Sequence, residues 1–318
     1  MKKFLALTMT GVMLLSSNVL GATNIFYNDS LVTYTDQTPV IINDRTYVPI
    51  RDVFEKMGFQ VDWEQSLKLV TISNDYYYVY IKVDTNGLWI LDKAMQTTCT
   101  TLTDKVQLVN GRTMLPLRQI LEAMGYSIQW DGATKSSIVV DNNNYTELDN
   151  KYNEFISTVE KLDDGYEIDN TKEIGDFTEE EYVYFAALKE NITKISECLN
   201  DEGSFELTPE ALAAASEIYK MSCPESLGSF GSEINQALKN CAFKLSDFSE
   251  QKKLMLGDEN MSFEFGFTFA ISLMYNIANE FMTPINTLNS VGQERNIPHD
   301  VILEVLSVDY TENNDISE

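Results

Sequence analysis

The chain of 318 residues contains a single histidine, His299. That count excludes a metal centre built on several histidines and a proton relay between two of them. Basic residues are also scarce: 23 Lys+Arg stand against 49 Asp+Glu, a formal net charge of −26. Nucleic-acid binding needs a basic face, so no nucleic-acid partner is expected. Long hydrophobic runs are missing too. The longest uncharged stretch of the C-terminal half, Phe265 to Asn279, is too short and, with Asn276 and Asn279, too polar to span a bilayer. What is present is a folding composition, 44% hydrophobic, at a length that suits two domains. Charge is uneven along it. Residues 23–141 carry 10 basic and 14 acidic groups, and residues 142–318 carry 11 and 35, which sets a domain boundary near residue 141.

The first 22 residues read as an address. Lys2 and Lys3 precede an apolar run from Phe4 to Leu15, and small residues follow at Gly21 and Ala22. This is the pattern of a secretory signal peptide cut after Gly21 or Ala22, with an apolar core too short to remain as a membrane span. No cysteine adjoins the cut and no apolar tail or sorting motif ends the chain, so a secreted, non-covalently held protein is expected.

Self-comparison reveals a duplication. Residues 43–68 and 110–135 align without gaps at an offset of 67, with ten identities in 26 positions, among them Arg45/Arg112, Pro49/Pro116, Arg51/Arg118, Gly58/Gly125, Trp63/Trp130 and Lys68/Lys135. The repeats extend over 39–73 and 106–140. Asn43-Asp44 and Asn110-Gly111 predict two-residue hairpin turns, because these residues tolerate positive φ. Pro49 and Pro116 predict helix starts, at the first helical position. Ile50, Val53, Phe54 and Met57, like Leu117, Ile120, Leu121 and Met124, give one apolar helix face, and Gly58 and Gly125 predict the stops. Alternation through Trp63 and Trp130 predicts half-buried strands, and Asn86-Gly87 a further hairpin between the copies.

These residues resemble the N-terminal-like (stalk) domain of copper amine oxidases. The signature reads Asn110-Gly111-Arg112-Thr113, Pro116-Leu117-Arg118, Glu122, Gly125, Trp130-Asp131 and Thr134-Lys135 in the second copy, with departures at Asp44 and Glu64-Gln65-Ser66 in the first. The resemblance covers about residues 30–141. It implies a small α+β unit, a twisted antiparallel sheet around one helix, found in exported proteins of Gram-positive type. It does not imply copper. The oxidase site resembles a three-histidine centre, and the string nearest its cofactor tyrosine, Asn144-Tyr145-Thr146, lacks the acid. Amine oxidase activity is rejected, and no metal, cofactor or catalytic residue is expected.

Within the repeats, Arg51 and Arg118 are expected to be structural, bridging helix to sheet or pairing with Glu55 and Glu122 at i+4. Trp63 and Trp130 are expected to cap the core edge, and Gly58, Gly125, Pro49 and Pro116 to set the backbone. The candidate ligand-binding residues are Tyr76, Tyr78 and Tyr80, which alternation places on one strand face, where exposed rings would stack on sugar. Cross-strand packing is the plainer account.

From residue 146 the period becomes helical. Tyr182, Phe185, Leu188, Ile192, Ile195 and Leu199 form one face after a capping box at Thr178–Glu181. Leu212, Ala215, Ile218 and Tyr219 form a second, and Ile234, Leu238, Cys241, Leu245 and Phe248 a third. Phe263 to Met282 is expected to be a central helix buried on nearly all sides. The fold class is thus α+β, duplicated sheet-plus-helix units followed by an all-α bundle of about five helices. Cys198–Cys223 and Cys223–Cys241 are the candidate disulfides, with burial as free thiols the alternative.

The leading expectation is a non-catalytic, wall-associated binding or structural protein. Its partner would be cell-wall glycan or another surface protein, with divalent cations bridging the acidic chain to an anionic wall. The alternatives are a secreted hydrolase using carboxylates of the helical half, and a structural partner assembling through an apolar helix at 261–285.

Overall fold

The computed structural model describes residues 24–160, 166–197, 209–257 and 263–306. The signal segment, Cys198 and Leu199 lie outside the described residues. Strands fill the N-terminal half and helices the C-terminal half, as expected, but the compact units divide differently from the 23–141/142–318 scheme. One unit runs to Gly58 and resumes over Lys105–Asn142; the other comprises Phe59–Asp104 and the chain from Asn143 onward.

The first unit is built on the duplication. Hairpins β3 (Val40–Ile42)/β4 (Arg45–Pro49) and β10 (Gln107–Val109)/β11 (Arg112–Pro116) each close through two residues of positive φ: Asn43 and Asp44 at 50° and 60°, Asn110 and Gly111 at 51° and 76°. β4 and β11 then pair antiparallel, with Val48 opposite Leu115. These are equivalent residues at the repeat offset of 67, and Tyr47/Pro116 and Pro49/Met114 flank them reciprocally. A local pseudo-two-fold axis therefore relates the copies, in sheet order β10-β11-β4-β3. Helix α1 (Ile50–Lys56) packs on β4 and β11, and helix α2 (Leu117–Ala123) on β4, burying Val53 and Phe54, and Ile120 and Leu121. Pro49 and Pro116 sit one position earlier than expected: each ends its strand in extended conformation and caps the helix from outside. Gly58 and Gly125, at φ 89° and 86°, stop the helices as foreseen. A second sheet, β12 (Tyr126–Asp131)-β13 (Ser136–Asp141)-β1 (Asn24–Tyr27)-β2 (Ser30–Leu31), completes this unit. β1 joins β13 in parallel, a pairing that sequence alternation does not announce.

The second unit opens with the five-stranded antiparallel meander β5 (Gln60–Glu64), β6 (Leu69–Ser73), β7 (Tyr77–Lys82), β8 (Gly87–Asp92) and β9 (Thr97–Thr101). Among the described residues six α-helices follow: α3 (Tyr145–Glu160), α4 (Glu179–Glu197), α5 (Pro209–Lys220), α6 (Phe230–Leu256), α7 (Phe263–Arg295) and α8 (His299–Leu306). The helices are not a free-standing bundle, because α6 and α7 serve two cores. Leu245, Phe248, Met255, Phe265, Phe269 and Leu273 bury against Leu69, Tyr80, Trp89 and Leu91 of the sheet. Further along the pair, Ile234, Leu238 and Leu288, with Ile297 just past the end of α7, bury against Phe185, Leu188, Ile218 and Ile302 of the smaller helices. Pro284 lies inside α7 between the stretches that serve the two cores. Against expectation, α7 is not buried all round: Phe267 and Met274 are 59% and 61% exposed. On α5 the buried stripe is Ala211, Ala214 and Ile218, while Leu212 and Tyr219 face outward. The small residues turn inward there because they let the helix backbone approach its neighbours.

Candidate functional site

The predicted tyrosine stripe does not exist as one surface. Tyr80 is fully buried. Its hydroxyl shares a hydrogen bond of 3.0 Å with Thr268 Oγ1, and its ring lies 4.6 Å from Phe265 and 5.7 Å from Trp89. Burial pushes its pKa far up. The cause is α7, whose Phe265 and Thr268 cover the sheet at Tyr80. Tyr78 alone is exposed, at 43%.

Tyr76 belongs to a different cluster. The Asn74 side-chain oxygen accepts the backbone amides of Tyr76 and Tyr77, each at 2.9 Å, and turns the chain just before β7. The Tyr76 ring then packs on Tyr145 of α3, centroids 4.4 Å apart. Its hydroxyl donates to Asp149 Oδ2 at 3.3 Å. Lys93, from the turn after β8, sits 2.6 Å from Asp149 Oδ1, 4.9 Å from the Tyr76 centroid and 6.0 Å from that of Tyr152. The hydrogen bond to Asp149 holds the Lys93 pKa up, and the same bond holds Asp149 down. Phe155 and Tyr275 pack beyond, tilted, with centroids 4.0 Å apart. All these side chains are half-buried. Aromatic faces, a fixed carboxylate and a fixed ammonium therefore meet at one surface. Such a set offers apolar faces for a sugar ring and a donor and acceptor for its hydroxyls. Sequence reasoning finds only Tyr76 of this group. Tyr145, Asp149 and Tyr152 share a helical face at i, i+4, i+7, a visible spacing, but nothing local joins them to Lys93.

The repeat signature is structural in part. Arg51 pairs with Glu55 at 3.5 Å and Arg118 with Glu122 at 3.4 Å, each on its own exposed helix face. Trp63 and Trp130 do not seal the core: they are 42% and 48% exposed, and Trp63 Nε1 donates to Gln65 at 2.9 Å. Both lie on the outer strand of a hairpin, where one face stays in water. Among the described residues Cys223 and Cys241 stand as separate thiols and are not joined to each other; the other candidate pair, Cys198–Cys223, includes a residue outside the described ones. Cys223 is held close to Gly231, where an added Cβ would come within 2.0 Å of the cysteine Cβ, and its thiol meets the Tyr184 hydroxyl. Cys241 is buried on α6, its pKa pushed up to about 12 by that burial.

Among the carboxylates, Glu181 is the most constrained, with a side chain at 0% exposure. Burial pushes its pKa up, but hydrogen bonds from the Ser226 hydroxyl, the Thr178 amide and Arg295 outweigh burial and hold it below its ordinary value. Ser226 Oγ stands 2.5 Å away, the Thr178 amide 2.8 Å and Arg295 Nη1 2.9 Å from both carboxylate oxygens. This is the predicted capping box, extended by an arginine into a tie between α4, α7 and the turn before α6. Two other carboxyls are raised: Asp92 by burial, Glu264 by burial and then by Asp62 and Glu64. They stand in separate surroundings. Among the described residues no three His, Cys, Asp or Glu side chains converge as metal ligands, and no helix is long and apolar enough to cross a membrane.

The family model of the copper amine oxidase N-terminal domain matches residues 26–139 and, in an overlapping segment, 95–170. That family is the non-catalytic N-terminal part of those enzymes. No curated protein and no solved structure matches the chain.

Proposed function

We propose that the protein is an exported, non-catalytic binding module, held non-covalently at a Gram-positive-type cell surface, and that it takes wall glycan at the Tyr76–Tyr145–Lys93–Asp149 cluster. The observation that carries this reading is the meeting of half-exposed rings with a fixed ion pair, Lys93 to Asp149 at 2.6 Å. The N-terminal signal pattern and the matched domain family support export and a non-enzymatic role. At a net charge of −26, approach to an anionic wall calls for bridging divalent cations.

The test is co-sedimentation of residues 23–318 with purified wall sacculi, in calcium and in chelator. Tyr76→Ala and Lys93→Ala are each expected to weaken pelleting about tenfold, the effect of ~1.4 kcal/mol. Pelleting that both variants leave intact overturns the site, and no pelleting in either condition overturns wall binding. A second reading, a structural partner assembling through an apolar helix, is favoured by Phe267 and Met274, seven residues apart on one exposed face of α7. The hydrolase reading gains no support from Asp92 and Glu264, which do not converge on one site.

A further inference from the structure

Sheet edges are where unpaired backbone groups can recruit another strand, and proteins usually blunt them with charge. Among the described residues three edges are five residues or longer: β5, β9 and β12. β5 carries Asp62 and Glu64, and β12 ends in Asp131. β9, Thr97-Thr98-Cys99-Thr100-Thr101, carries no charge, no proline and no glycine. The uncharged window extends over residues 94–103 in a chain that is 23% charged. Among the described residues the strand order ends at β9, and Thr98, Thr100 and Thr101 are exposed.

We propose that β9 is a homotypic docking edge, pairing antiparallel with β9 of a second copy about a two-fold axis at Cys99. Self-complementarity selects this occupant. Antiparallel pairing about Cys99 sets Thr97 against Thr101 and Thr98 against Thr100 of the second copy, and such threonine pairs stabilise sheets across strands. Elsewhere the acidic surface opposes contact between like copies, while the β9 window brings no charges into register. The fold already contains one pairing of this kind, in which β4 and β11, equivalent strands of the repeat, join about Val48 and Leu115. A second feature lies beside the edge. Asp247 of α6 is near enough to Cys99 for its charge to act on the thiol. Phe243, one turn earlier on the same stripe of α6, is 74% exposed. A copy docked on β9 would bring this ring toward its own α6.

The experiment is sedimentation equilibrium of the mature chain over a concentration series, with hydrogen exchange read on the β9 amides. The expected result is a monomer–dimer equilibrium in which residues 97–101 gain protection as concentration rises. Thr98→Lys with Thr100→Lys sets like charges opposite each other and is expected to weaken the dimer at least about tenfold. Thermal unfolding of that variant is expected to match the parent, because both side chains point to solvent. A chain that stays monomeric at millimolar concentration overturns the proposal. So does a dimer whose protection falls elsewhere, or one that the lysine pair leaves unchanged.

Discussion

The second hairpins of the two copies have the same register and the same turn. Trp63 faces Val70, and Trp130, its equivalent, faces Ser137. Lys68 and Lys135 both take left-handed backbone, at φ 48° and 51°. The return strands then diverge. β6 places Leu69, Val70 and Ile72 where β13 has Ser136, Ser137 and Val139. β6 takes an antiparallel neighbour, β7, and lies in the middle of a sheet whose Leu69 is buried in the core with α6 and α7. β13 takes a parallel neighbour, β1, and its two serines are buried in a small sheet. One local code therefore makes one hairpin twice. The apolar volume on the return strand decides which larger layer each hairpin enters.

Leu69→Ser, which writes the second copy's residue into the first, tests this most strongly. It removes a fully buried side chain from the core with α6 and α7, and a loss of about 3–5 kcal/mol is expected in chemical unfolding. A loss below ~1 kcal/mol would mean that the core with α6 and α7 does not depend on that strand.

The helical side of the comparison rests on Glu181. Its pKa is depressed in the folded state, so its contribution is present above the unfolded carboxyl range and is lost as pH falls through the folded value. Acid is expected to loosen the helical core through this group, and Glu181→Gln to lower stability at neutral pH by about 2 kcal/mol while flattening the acid limb. An acid limb unchanged in the variant, followed by circular dichroism, would assign the sensitivity to other carboxylates.

The smallest effect tests what the copies share. Gly58→Ala and Gly125→Ala each place a side chain on left-handed backbone and are expected to cost about 1 kcal/mol apiece, nearly equally. Unequal costs would show that the surrounding layer, and not the local turn, sets the penalty.

The repeat was legible because its signals are local. Asn43-Asp44, Asn110-Gly111 and the glycine stops dictate backbone conformation within a few residues, and the Thr178–Glu181 box does the same for α4. The conserved lysine of the repeat was visible as an identity, but its left-handed turn was not. The face of Tyr80 was misjudged because alternation fixes sidedness and says nothing about what covers a side; that depended on Phe265 and Thr268, some 190 residues away. Helical spacing puts Leu212 and Tyr219 on one apolar face with Ala215 and Ile218, whereas Ala211 and Ala214 let α5 pack closely and leave both large side chains outside. The Lys93–Asp149 pair joins a turn to a helix across 56 positions, beyond the reach of any periodic pattern.

The parallel pairing of β1 has a kinetic consequence. Asn24–Tyr27 are synthesised well ahead of their partners, Ser136–Val139. Between them the chain leaves the first unit at Gly58 and returns at Lys105. Closing so long a loop is paid before any ladder bond rewards it, so this sheet forms late. Until residue 139 is available, the nascent chain cannot complete the first unit. It stays open until the segment that carries β13 arrives, and that arrival locks it.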